Sequence, residues 1–129
     1  MLEYERLCSE TKGGSMTKAI EKFEGIKKGM RGARTALPET MKAWSAFHEK
    51  TMTSGAIDSK TKELIALGIA IAVRCHNCII LHVQACKKLG VTREEIMSVY
   101  EVAMVMGGGP AMTYSAELID ALEEYYPKE

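Results

Sequence analysis

Residues 74–92 read RCHNCIILHVQACKKLGVT, and the spacing of this stretch organises the reading of the whole chain. It holds a Cys-x-x-Cys pair, Cys75 and Cys78, followed by His82 and then Cys86 at four-residue steps. On a helix each residue advances about 100°, so these four side chains fall within a sector of roughly 80°. Ile79 and Val83 share that side, while Gln84, Lys87 and Lys88 point elsewhere. Gly90 supplies the left-handed residue that ends many helices. Two helical thiols three residues apart have Cα atoms about 5 Å apart, within the range a disulfide accepts. The spacing permits a redox dithiol with an imidazole one turn away.

The rest of the composition narrows the function classes. The chain has 129 residues, enough for one domain with its own core. Seventeen basic residues balance seventeen acidic ones, and no basic patch points to nucleic acid. The longest apolar run, Leu64 to Val73, is too short to span a bilayer. The N-terminus lacks the basic-then-apolar order of a signal peptide. Four cysteines without such a signal place the protein in the cytoplasm, where Cys-x-x-Cys serves catalysis or metal binding more often than structure.

Helical spacing recurs along the chain, and no stretch alternates as a strand. Residues 1–15 read as a leader or added segment, broken by Gly13-Gly14-Ser15, and residues 16–129 as a single helical domain. Ile20, Phe23, Ile26 and Met30 mark a first helix weakened by Gly25 and Gly29. Ala33 to Leu37 reads as a connection. Pro38 suits a first helical position, and Met41, Trp44, Phe47 and Met52 continue that helix up to Gly55. Asp58 or Ser59 caps a third helix, apolar on almost every side and hence central. A break near Val73–His76 precedes the cysteine helix. Thr92 and Glu95 then form a capping box. Gly107-Gly108-Gly109-Pro110 interrupts the chain before a last helix bearing Tyr114, Leu118 and Leu122. The fold expected is all-α, about six helices joined by short loops. With nine methionines and an apolar central helix, it exposes surface that self-association would cover.

Glu63 is the one acid inside the apolar third helix. If that helix and the cysteine helix form an antiparallel pair hinged near Arg74, equidistant residues face each other. The mirror of Glu63 is then about Cys86, one turn beyond His82, which brings the carboxylate near the imidazole. A buried carboxylate without a partner is costly, so Glu63 should find one there. Zinc is the rival reading of Cys75, Cys78, His82 and Cys86. Four ligands strung along one helix span about 16 Å, too far to surround one ion, and zinc sites take their ligands from separate elements. Cys86 reads as small core filling and Cys8 as an incidental thiol; His48 and His76 receive no role.

Glu63, Cys75-x-x-Cys78 and His82 in this register resemble the alkylhydroperoxidase-D-like (AhpD-like) branch of the carboxymuconolactone decarboxylase superfamily. Lys62-Glu63-Leu64-Ile65-Ala66-Leu67, Ala85 to Gly90, Glu94-Glu95-Ile96 and Gly107-Gly108-Gly109 are similar too, so the resemblance runs from about Leu37 to Leu122. It implies an AhpD-like all-α fold, assembled as a trimer or hexamer. It also implies peroxide or disulfide reduction through Cys75 and Cys78, with Glu63 and His82 as a proton relay. No bound cofactor is implied; an external thiol or dithiol, a lipoyl group among the candidates, would return the electrons. Related proteins often carry a histidine directly before the second cysteine, whereas this chain has Asn77 there and His76 before it. The decarboxylating branch lacks the cysteine pair. A thiol at a helix start has the lower pKa, which favours Cys75 as the attacking group, whereas the resemblance assigns attack to Cys78 and resolution to Cys75. The alternative to an oxidoreductase is a non-catalytic metal-binding or structural oligomer module of the same superfamily.

Overall fold

A computed structural model describes residues 19–128, so residues 1–15, Met16 and Cys8 lie outside the described residues. Six helices follow in order: α1 (Ala19–Ala36), α2 (Pro38–Met52), α3 (Ser59–Ala72), α4 (His76–Lys88), α5 (Arg93–Thr113) and α6 (Ser115–Tyr125). Among the described residues there is no strand. Helix α3 is central, with α5 on one side and α4 on the other, and α6 covers the far side of α4. Helix α1 crosses α4 and α6, while α2 rests mainly on α1.

The helix boundaries follow from local chemistry. Of the two candidate caps for α3, Asp58 is the one used, its carboxylate accepting from the Thr61 N–H at 2.7 Å. The capping box of α5 is closed in both directions between Thr92 and Glu95. Helix α1 runs on to Ala36 instead of stopping near Ala33, so the expected connection shrinks to Leu37. That residue precedes Pro38, whose ring excludes the helical conformation from its neighbour, and Leu37 sits at φ −134°, ψ 62°. Helix α2 ends at Met52, before Gly55. The Lys62 ammonium then donates to the free carbonyls of Thr51 and Thr53, both at 2.7 Å, tying the end of α2 to α3.

The glycine run breaks α5 rather than ending it. Gly108 adopts φ 65°, ψ −154°, a region open in practice only to glycine. Gly107 permits close packing, because an added Cβ would lie 2.6 Å from the Ala111 Cβ and 3.4 Å from the Ala72 Cα. The Tyr100 hydroxyl donates to the Met112 carbonyl at 2.8 Å across this kink.

The core consists of Leu67, Ile71, Ile79, Ile80, Val83, Ile96, Leu118 and Leu122, all almost wholly buried. It joins α3, α4, α5 and α6 into one body. Helix α2 by contrast buries none of its side chains and leaves Trp44 and Phe47 exposed. A second apolar surface lies between α3 and α5, a groove of about 750 Å³ bordered by Ile65, Ile69, Val99, Val102 and Met106. No helix among the described residues is long and apolar enough to cross a membrane.

Candidate active site

The site is built where α3 hands over to α4. Helix α3 ends in two bonds that turn the chain sharply, Cys75 N–H to the Ala70 carbonyl at 3.0 Å and Arg74 N–H to the Ile71 carbonyl at 3.1 Å. This pair of bonds is the Schellman motif, which needs a left-handed residue. Here Arg74 takes that conformation, with φ 60°, where glycine would be the unstrained choice. The same motif closes α4, and there the left-handed residue is Gly90. Cys75 therefore does not lie within the helix as its spacing suggested. It is the N-cap of α4, with φ −98° and ψ 97°, and its sulfur accepts from the Cys78 N–H at 3.3 Å.

Cys75 and Cys78 are joined as a disulfide, their Cα atoms 5.2 Å apart. The separation expected of a helical pair survives, because an N-cap and the third residue after it remain one turn apart. Both cysteines are half-buried, while His76 and Asn77 between them are exposed. A groove of about 600 Å³ between α1 and α2, bordered by Ile26, Met30 and Met41, reaches Asn77 and Lys22 beside the pair.

Glu63 and His82 meet, one turn short of the Cys86 position that the hairpin arithmetic placed opposite the carboxylate. Glu63 is 7% exposed, and its Oε2 lies 2.7 Å from the His82 Nδ1. An ionised carboxylate only accepts hydrogen bonds, so Nδ1 carries the proton and donates. In the neutral ring Nε2 then holds a free lone pair, able to take a proton. His82 follows Cys78 by one helical turn, the spacing at which side chains on a helix become neighbours. Glu63 thus fixes the Nδ1 side of His82, on the same face of α4 as Cys78.

Cys86, the third thiol of the stretch, is fully buried. Burial, reinforced by the Glu63 and Glu95 carboxylates, pushes its thiol up to about 12. Such a group stays protonated at neutral pH and does not act as a nucleophile. Among the described residues no three His, Cys, Asp or Glu side chains are placed to hold a metal ion.

A further cluster flanks Cys75, and no spacing in the sequence announced it. His76 Nδ1 lies 3.0 Å from the Glu117 Oε1 of α6, and its ring packs on that of Tyr114 with centroids 4.8 Å apart. Lys22 of α1 reaches the other oxygen of the same carboxylate at 3.1 Å. Burial alone pushes the Glu117 carboxyl up, but the bonds from Lys22 and His76 outweigh it and hold the group below the usual range.

The sequence model of the Carboxymuconolactone decarboxylase family matches residues 38–121. Uncharacterized protein 4 in cox locus of Paracoccus denitrificans is 33% identical over 102 residues, covering 74% of this chain and 92% of that one. An uncharacterized protein of Methanocaldococcus jannaschii is 32% identical over 96 residues, covering 73% and 91%. The crystal structure of a carboxymuconolactone decarboxylase family protein from Legionella pneumophila superposes with a TM-score of 0.79 at 38% identity, covering 83% of this chain and 96% of that one. A family protein from Thermotoga maritima superposes with a TM-score of 0.71 at 27% identity, covering 80% and 88%.

Proposed function

The chain belongs to the carboxymuconolactone decarboxylase family, and on that footing we propose that it is a thiol-dependent oxidoreductase of the AhpD-like kind, reducing peroxides or disulfides. One observation carries the reading: a Cys75–Cys78 disulfide lies one helical turn from an imidazole that a buried carboxylate holds at 2.7 Å. The Thermotoga maritima protein is itself a candidate for involvement in an antioxidative response, which agrees with this chemistry.

In the reduced protein His82 Nε2 takes the Cys78 proton, and Glu63 stabilises the imidazolium that results. The Cys78 thiolate attacks one oxygen of a hydroperoxide. The O–O bond breaks, the leaving alkoxide takes a proton from the imidazolium, and Cys78 becomes a sulfenic acid. Cys75 then attacks that sulfur, and water leaves as the disulfide closes. An external thiol or dithiol reduces the disulfide through a mixed disulfide and is itself oxidised. A cytoplasmic setting, where such reductants are available, suits the cycle. The chain assembles as a trimer or hexamer in this proposal. Its support is the unburied helix α2, the apolar groove between α3 and α5, and Val105 and Met106 at 83% and 78% exposure.

The test is turnover of hydrogen peroxide, alkyl hydroperoxides and small disulfides with a panel of thiol and dithiol reductants. Turnover that is lost in Cys78→Ser supports the reading. A protein that self-associates, keeps its disulfide through every treatment and turns over nothing is instead a structural oligomer, with the pair as a passive staple.

A further inference from the structure

One helix presents an apolar ridge, and two others frame an apolar groove that no described residue fills. Helix α2 buries none of its side chains. Its half-buried Met41 borders the groove against α1, while Trp44 and Phe47 lie about 60° and 120° further round the helix. They are 55% and 63% exposed, with ring centroids 6.0 Å apart, and together make one convex ridge. The groove between α3 and α5 is walled by Ile65, Ile69, Val99, Val102 and Met106, with the bare Gly68 among its lining residues. We propose that α2 of one copy docks lengthwise in the α3–α5 groove of a second copy of this chain. The inference rests on the self-association proposed above and names the two surfaces that make it.

Length, shape and charge agree between the two surfaces. Helices α3 and α5 run parallel, joined by Lys60 and Glu95 at one end and by the close approach of Gly107 to Ala72 at the other. The groove extends from Thr61 to Ala72 and from Glu95 to Met106, each about 16 Å at the helical rise. Glu39 to Lys50 on α2 has the same length. A convex ridge fills such a groove, whereas two grooves set face to face would leave a hollow. The rim is acidic at its N-terminal end, where Glu95 lines the groove and Glu94 is exposed. Lys50 stands one turn beyond Phe47 on α2, so an antiparallel seat sets Lys50 against Glu95. Phe47 then meets Ile65 and Ser98, and Trp44 meets Ile69 and Val102. The same orientation brings the C-terminal end of α2 to the N-terminal ends of α3 and α5, the favourable sense for helix dipoles.

The occupant is a second copy because α2 is held away from its own groove. Among the described residues α2 touches α1 and α3 but not α5. Lys62 of α3 pins its end through the Thr51 and Thr53 carbonyls. A tryptophan or phenylalanine buries about 150–250 Å², and over half of each ring-bearing residue is still open here. With the exposed Val102 and Met106 opposite, the contact supplies a good part of the roughly 800 Å² per partner that a stable interface takes. Each copy also takes part twice, once with its ridge and once with its groove. Closed symmetry repeats the contact until no ridge or groove is left free.

Trp44 is the single tryptophan of the chain, so the fluorescence of the unmodified full chain reads the seat directly, alongside light scattering. In the assembled wild type its emission should be blue-shifted and protected from iodide. Val102→Glu, on an exposed groove wall, should shift the emission to the red and weaken association more than about tenfold, as loss of an interface anchor does. Ile69→Glu serves in its place if circular dichroism shows that Val102→Glu loses helix. Trp44→Glu with Phe47→Glu should fail to associate in the same way. Mixing that chain with Val102→Glu should restore a complex, since one keeps its groove and the other its ridge. The only tryptophan in the mixture is Trp44 of the Val102→Glu chain, and its emission should turn blue again. A mixture that stays monomeric overturns the seat. So does an exposed Trp44 in an assembled wild type, and self-association then stands on other surfaces. Blue emission from a wild type that scatters as one chain puts α2 on its own groove and removes the second copy as occupant. Uptake of anilinonaphthalene sulfonate by the assembled wild type marks a groove open to a small apolar ligand, and also overturns the seat. An exposed Trp44 in a monomer overturns both the seat and the assembly.

Discussion

Replacing Glu63 by glutamine isolates the charge in the proposed relay. The amide keeps an oxygen that can accept from the His82 Nδ1, so the contact at 2.7 Å and the buried packing persist. A hydrogen bond to a charged group contributes about 1.5–3 kcal/mol and a neutral one about half as much. The difference, on the order of 1–1.5 kcal/mol, is the stabilisation Glu63 withholds from the imidazolium when its charge is removed. At 1.36 kcal/mol per decade, Glu63→Gln should turn over about tenfold more slowly near neutral pH. His82→Gln removes the base itself and should lose about two to three orders of magnitude. Both losses should shrink as pH approaches about 8.5, where hydroxide deprotonates an unassisted thiol. Cys78→Ser should not recover at any pH. The assay is the rate of Cys78 alkylation against pH, alongside peroxide turnover and a melting curve for each variant. If Glu63→Gln melts lower yet alkylates with the wild-type pH profile, the carboxylate only supports the fold and the relay is wrong.

Three further outcomes are expected. Arg74→Gly should raise the melting temperature, since the left-handed conformation at φ 60° costs a side chain roughly 1–2 kcal/mol and glycine returns about half of that in the unfolded chain; a lower melting temperature would mean the Arg74 side chain makes a contribution that outweighs its backbone strain. Glu117→Gln should destabilise by about 1 kcal/mol at pH 6–7, as expected for a carboxylate hydrogen-bonded to Lys22 and His76. Because the Glu117 carboxyl is held below its ordinary value, that contribution is complete above the unfolded pKa of about 4.3 and is lost as pH falls through the folded one; denaturant titrations whose gap between wild type and variant stays constant down to pH 3 would contradict it. Light scattering should return a mass several times the 14.2 kDa of one chain, and Val105→Glu with Met106→Lys should lower it; a stable wild-type monomer would rule out self-association.

The parts of this fold that were legible in the sequence are those fixed by local rules. Asp58, the Thr92–Glu95 box and Gly90 sit where capping chemistry requires them. The Glu63–His82 contact was legible too, because an antiparallel hairpin pairs residues equidistant from its hinge. Counting from Arg74 led to Cys86, one turn beyond the residue that Glu63 meets, and so to the right neighbourhood of α4 without any knowledge of side-chain packing. Cys75 was misplaced by one residue for a related reason. Its position depends on a left-handed residue before it, and a glycine there would have announced the helix break. Arginine carries no such signal, so the break looked diffuse and the helix appeared to include the first cysteine. The Glu117–His76 pair was invisible because the chain passes through the kink at Gly108 between the two helices, and no spacing rule crosses that bend.

Helix α2 raises the opposite question, since its pattern was read correctly and its apolar residues still find no core. Met41, Trp44 and Phe47 recur at helical spacing, yet within one chain none of α2 is buried. An amphipathic face is stable only when something covers it. Among the described residues no element covers the apolar groove of about 750 Å³ between α3 and α5. Among the described residues both surfaces are uncovered, because a pattern of apolar residues specifies that a face be buried, not which segment or chain buries it. The Glu63–His82 pair and the disulfide lie within α3, α4 and the turn between them. Helix α2 borders the groove that reaches Asn77 between the two cysteines. An association that moves or covers α2 would therefore change access to the disulfide without touching Glu63 or His82. Substitutions on α2 should accordingly alter how fast bulky reductants reach the pair, while the alkylation profile of Cys78 toward a small reagent stays the same.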